Sequence, residues 1–133
     1  MLSKRRVLFI DSALPEEIET ALSVGFQGVT TNPSLVNKAP KGDVSKGFMD
    51  RYLDHMRSII EVCSKHPLGK PGVGSSKLPS LSVEVFSLVP GEMVKQAKEI
   101  SEALNYDNLA IKIPVSYRVG GEELPTSYKG TFR

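Results

Sequence analysis

No apolar run in the chain approaches the ~18 consecutive residues that a membrane-spanning helix requires. The first apolar stretch, "VLFI" at 7–10, follows directly on "MLSKRR". It is too short for the core of a secretory signal, and no small-residue cleavage site comes after it. Cysteine is nearly absent. Cys63 is the only one, so no disulfide can form within the chain. These absences predict a cytosolic protein with no membrane partner. Cys63 itself reads as a small core residue on a helix. A dense basic stripe is also missing. The 17 Lys and Arg against 15 Asp and Glu leave a formal net charge of +2. The cations are scattered apart from Lys4, Arg5 and Arg6, and such a distribution argues against a nucleic-acid partner.

What is present fits one globular domain: 133 residues, 40% apolar and 24% charged. "RVLFIDS" reads as a short buried strand ending at Asp11. Pro15 suits the first turn of a helix, Glu16 and Glu17 suit its positive end, and Ile18, Ala21 and Leu22 repeat at helical spacing. Gly25 is the expected stop. "GVTTN" is a second strand, cut off by Pro33. A loop containing "KAPKGD" leads into an amphipathic helix from about residue 45 to 66, with Phe48, Tyr52, Met56, Ile59, Ile60 and Cys63 on its core stripe. "HPLGKPGVGSSKLPS" is a connector; its glycines lack the order of a phosphate-binding loop. "LSVEVFSL" is a third strand. Pro90 opens a helix with Met93, Ala97, Ile100 and Leu104 on one face, and "NLAIKIP" is a fourth strand. The order β-α-β-α-β-α-β predicts an α/β protein with a parallel sheet. The pattern breaks in residues 115–133, which read as an irregular tail with a Gly-Gly turn signal.

The fourth strand raises a chemical question, because "NLAIKIPVS" puts one lysine into an apolar run. Strand side chains alternate between faces. Leu109, Ile111 and Ile113 share one face, while Ala110, Lys112 and Pro114 share the other. Val83 and Val85 oppose Ser82, Glu84 and Phe86. Leu8 and Ile10 oppose Val7, Phe9 and Asp11. Gly28, Thr30 and Asn32 have one parity. With the aliphatic faces under helices, Asp11, Glu84 and Lys112 converge late in three strands. A parallel barrel with polar groups at its C-terminal rim suits this, and an open doubly wound sheet is the competing architecture.

A lysine facing a mostly apolar interior loses hydration, which disfavours its charged form. The neutral amine can form a Schiff base with a carbonyl substrate, and the carboxylates of Asp11 and Glu84 can shuttle protons. The bland readings are a lysine snorkelling to water, a capping Asp11 and an ion-paired Glu84. The coincidence of all three at equivalent strand positions favours the chemical one.

"FIDSA" at 9–13, "GVTTNPSL" at 28–35, "SVEV" at 82–85 and "IKIP" at 111–114 occur in this order and at suitable separations. The set resembles the transaldolase family, including its smaller fructose-6-phosphate aldolase-like branch, over roughly residues 6–114. The resemblance implies a TIM barrel, of which this chain carries the first four β-α units. It also implies class I aldolase chemistry on sugar phosphates without metal or organic cofactor. Lys112 would then be the Schiff-base lysine. Asp11 would bind a substrate hydroxyl and take part in proton transfer, Glu84 would position a catalytic water, and Asn32 would hydrogen-bond the bound sugar near the Schiff base, with Thr30 lining the same pocket. Glu84 resembles the transaldolase branch, since the aldolase branch tends to carry Gln there. Thr31, Pro33 and Ser34 read as turn formation and helix entry.

A whole barrel takes about 250 residues, so the resemblance reaches only an N-terminal half. Three accounts are open: a fragment of a longer enzyme, a half-barrel closed by a second copy, or a non-catalytic sugar-phosphate binding or oligomerisation module.

Overall fold

The computed structural model describes residues 7–39, 45–69, 77–115, 118–119 and 122–123. The basic cluster at Lys4, Arg5 and Arg6, the middle of the Gly- and Pro-rich connector and most of the tail lie outside them. Strands β1 (Phe9–Asp11), β2 (Gly28–Thr30), β3 (Ser80–Glu84) and β4 (Leu109–Lys112) form one sheet. All its pairings are parallel, in the order β1-β2-β3-β4.

That order decides between the two architectures. A right-handed crossover to the next strand places its helix on a fixed face of the sheet. Stepping always in the same direction puts every helix on one face. A doubly wound sheet reverses direction once and covers both faces. Here α1 (Pro15–Ser23), α3 (Phe48–Ser64) and α4 (Pro90–Leu104) are the crossovers, and the pattern is that of a partial (β/α)8 barrel.

The helices start and stop where local chemistry directs. Pro15 and Pro90 sit at the first turns of α1 and α4, with Glu16, Glu17 and Glu92 at the positive ends. Gly25 leaves α1 at φ +106°, a conformation that suits glycine, and its N–H returns to the Leu22 carbonyl. Asn105 ends α4 in the left-handed region, at φ 44°. An additional short helix, α2 (Pro33–Lys38), stands where the sequence reads as helix entry followed by a loop.

The core lies between the helices and one face of the sheet. Val29, Leu81 and Val83 are fully buried there, and Ile10, Leu109 and Ile111 pack against them. From α3 come Tyr52, Leu53, Met56, Ile59 and Cys63, and from α4 Ile100 and Leu104, with Met93 and Ala97 packed alongside. Cys63 is the core residue its position suggested; burial pushes its thiol up to about 11, so it stays protonated. On the opposite face Phe9 is 45% exposed, and its ring covers Gly28. A Cβ at position 28 would come within 2.8 Å of three Phe9 ring atoms.

Two sequence expectations need correction. Leu8 and Ile113 share parity with the core residues, yet both are exposed, because they lie just beyond the paired segments. Parity places Phe86 on the inner face beside Glu84. β3 ends at Glu84, the alternation lapses, and the Phe86 ring meets Phe48 at 4.9 Å and Tyr52 at 5.7 Å, both on α3. In the tail, β5 (Arg118–Val119) and β6 (Glu122–Glu123) pair antiparallel.

Candidate active site

The sheet register puts the inner-face residues in rows. Asp11 pairs with Thr30, Thr30 with Ser82, and Ser82 with Ala110. One row nearer the C-terminal rim, Glu84 pairs with Lys112. All five of the residues named by sequence therefore fall on or beside one face at one end of the sheet.

Lys112 is half-buried and reaches across this face. Its Nζ donates to Thr30 Oγ1 at 2.8 Å. β3 lies between the two strands, and strand spacing is about 4.8 Å, so their backbones stand about 10 Å apart. The long lysine side chain covers that distance, and the residue between Thr30 and Ala110 in the register is the small Ser82. Glu84 is 3% exposed and is a lateral neighbour of Lys112. A carboxylate buried to this degree costs stability unless it is compensated, and an ammonium on the adjacent strand position supplies the opposite charge.

Asp11 is exposed at the end of β1. It borders a cleft of about 230 Å³ shared with Ser12, Glu17, Leu35 and Lys38. The loop after it is ordered by Ser12, whose Oγ accepts from Leu14 N–H at 3.0 Å and donates to Glu17 Oε2 at 2.6 Å. Asp11 thus faces the same side as Lys112, but it is the outlying member of the group.

Asn32 has a structural task that the sequence reading missed. Its Oδ1 accepts from Leu35 N–H at 2.9 Å and caps α2, with Pro33 at the first turn. The signal was present: Asn followed directly by Pro is a helix-start pair. The cap uses only the oxygen, so the two amide N–H donors are what Asn32 can offer a ligand. The two tasks are separable. Asn32→Ala is expected to cost about 1 kcal/mol of stability through the lost cap. Asn32→Asp keeps the capping oxygen, so urea unfolding should find it within about 0.5 kcal/mol of the parent, while any ligand contact made by the amide is lost.

Among the described residues no group of three or more His, Cys, Asp and Glu side chains could hold a metal ion. No described helix is long and apolar enough to cross a membrane.

The Transaldolase/Fructose-6-phosphate aldolase family pattern matches residues 8–122. The chain belongs to this family. Three curated relatives are each named "Probable transaldolase". That of Chlorobium phaeobacteroides is 35% identical over 109 residues, 81% of this chain and 41% of the relative. That of Dehalococcoides mccartyi is 32% identical over 110 residues, 82% of this chain and 40% of the relative. That of Clostridium perfringens is 34% identical over 109 residues, 81% and 39% respectively. This transaldolase-family chain thus spans about two-fifths of the length of the curated relatives it matches.

Proposed function

We propose that the chain contributes the Schiff-base lysine and its proton-transfer partners to transaldolase-like aldol transfer or cleavage on a ketose phosphate. One observation carries the reading. Lys112 stands on the open face at the strand ends, beside the buried Glu84 and hydrogen-bonded to Thr30. In this reading the Lys112 amine attacks the ketose carbonyl, water leaves, and the resulting iminium accepts the electron pair when the adjacent C–C bond breaks. Asp11 takes the proton from the hydroxyl whose carbon becomes the aldehyde, Glu84 holds the water that enters and leaves, and Asn32 binds a sugar hydroxyl. Glu84, in place of a glutamine, favours dihydroxyacetone transfer over simple cleavage. The reading places the protein in the cytosol, within carbohydrate and pentose phosphate metabolism.

The exposure of Asp11 on the uncovered inner face supports a second reading. A site open to water keeps its lysine hydrated and its proton acceptors screened. In that reading the chain alone is a sugar-phosphate binding or oligomerisation half-barrel, and chemistry awaits the remaining strands, supplied by more chain or by a second copy.

Borohydride reduction in the presence of fructose 6-phosphate separates the two. The catalytic reading expects a substrate-dependent mass increase on the peptide that contains Lys112. Saturable sugar-phosphate binding with no adduct would establish the second reading.

A further inference from the structure

We propose that Tyr52 is a positioning residue for Glu84, standing in for a sheet N–H that Pro33 lacks. The proposal rests on the assignment of Glu84 to the reaction, and it begins from the backbone. On the β2–β3 boundary the ladder advances by two residues per step. Ser80 N–H donates to the Gln27 carbonyl, and Thr31 N–H donates to the Ser82 carbonyl. The next step would bring the N–H of residue 33 to the carbonyl of residue 84. Position 33 is proline and has no N–H to give. Asn32 is still extended, at φ −151° and ψ 166°, so the chain continues in line while its donor is missing.

The Tyr52 hydroxyl fills that place. It donates to the Glu84 carbonyl at 2.8 Å in a fully buried bond. Burial raises the phenol well above its ordinary range, so it remains a neutral O–H donor at any working pH. The other end of the same peptide unit, Val85 N–H, donates to the Lys112 carbonyl at 3.2 Å. One peptide plane is therefore held by Tyr52 on one side and by the backbone of the lysine strand on the other. Beyond it, Gln96 Oε1 accepts from Phe86 N–H at 3.1 Å and Ser87 N–H at 2.9 Å. The Glu84 side chain leaves the backbone at this clamped point, so its direction relative to Lys112 depends on the Tyr52 bond. A hydroxyl on α3 thereby lets a proline start α2 beside the site without loosening the acid.

The test uses the full 133-residue chain and the variant Tyr52→Phe, which keeps the ring packing and removes only the donor. Borohydride trapping with fructose 6-phosphate should slow about 10-fold at saturating substrate, with the half-saturating concentration changed less than about 2-fold. In a Glu84→Gln background, Tyr52→Phe should cause no further loss, because the two act as one unit. Pro33→Ala, which returns a backbone N–H to the vacant ladder position, should restore trapping to Tyr52→Phe. Losses that multiply in the double variant, with no recovery on Pro33→Ala, would overturn the assignment. If the parent chain gives no adduct at all, the Schiff-base reading fails while the positioning claim is still decided. The side-chain carbon shifts of Glu84, which report its rotamer, must then change in Tyr52→Phe, and unchanged shifts overturn it.

Discussion

Lys112→Arg should abolish substrate-dependent borohydride trapping, with a loss on the order of 10⁴-fold or more, and leave the fold intact. In the proposed reading the Lys112 amine forms the covalent bond, and removing such an atom is among the most damaging changes a site can undergo. Arginine is the informative replacement because it keeps the positive charge and the reach to Thr30 Oγ1, which Lys112 Nζ approaches to 2.8 Å. Its guanidinium does not give up a proton at working pH and cannot form the iminium. Thermal unfolding of Lys112→Arg should therefore stay within about 1 kcal/mol of the parent, since the half-buried site holds no tightly packed volume there. Lys112→Ala should lose the adduct equally. Mass mapping is the check. An adduct that persists at the parent rate on Lys38, Lys95 or Lys98 would show ordinary surface amine chemistry and would remove the mechanistic reading.

The face of the sheet that Lys112 occupies is legible in the sequence because strand parity asks little of it. Alternation needs only that the strand continues, and over Leu109–Lys112 and Ser80–Glu84 it does. Parity misplaces Phe86, two residues past the end of β3, where Gln96 takes over the backbone N–H groups. Parity also misplaces Leu8 and Ile113, which lie just beyond the paired segments and are exposed. The six-residue α2 was not legible because it is under two turns long and shows no full hydrophobic period. Tyr52 was legible as core from its stripe, yet its hydroxyl was not. That use depends on a carbonyl 32 residues away and on a proline in a third element. Covalent roles follow residue types in order along the chain, whereas supporting roles follow contacts between distant segments.

Leu81→Ala should lower stability by about 3 kcal/mol, while Phe9→Ala should cost less than about 1 kcal/mol, and the contrast tests the sidedness of the sheet. Leu81 is 0% exposed, in a central strand with Val29 and Leu109 on either side and helices over it. Deleting three of its carbons removes transfer free energy and leaves a cavity that the sheet cannot collapse to fill. Phe9 is the larger side chain, but it lies on the inner face and is 45% exposed, so truncation gives up only part of its burial. Urea unfolding of both variants against the parent, at several protein concentrations, provides the measurement. A doubly wound sheet would bury both positions and make Phe9→Ala the costlier of the two. The same pair also reports on closure. If the inner face becomes covered when a second copy completes the strands, the Phe9→Ala penalty must grow with protein concentration, because association adds stability by mass action only to the form that can make the contact. A penalty that stays small at every concentration would mean that the inner face of the 133-residue chain stays wet around Phe9 and Asp11.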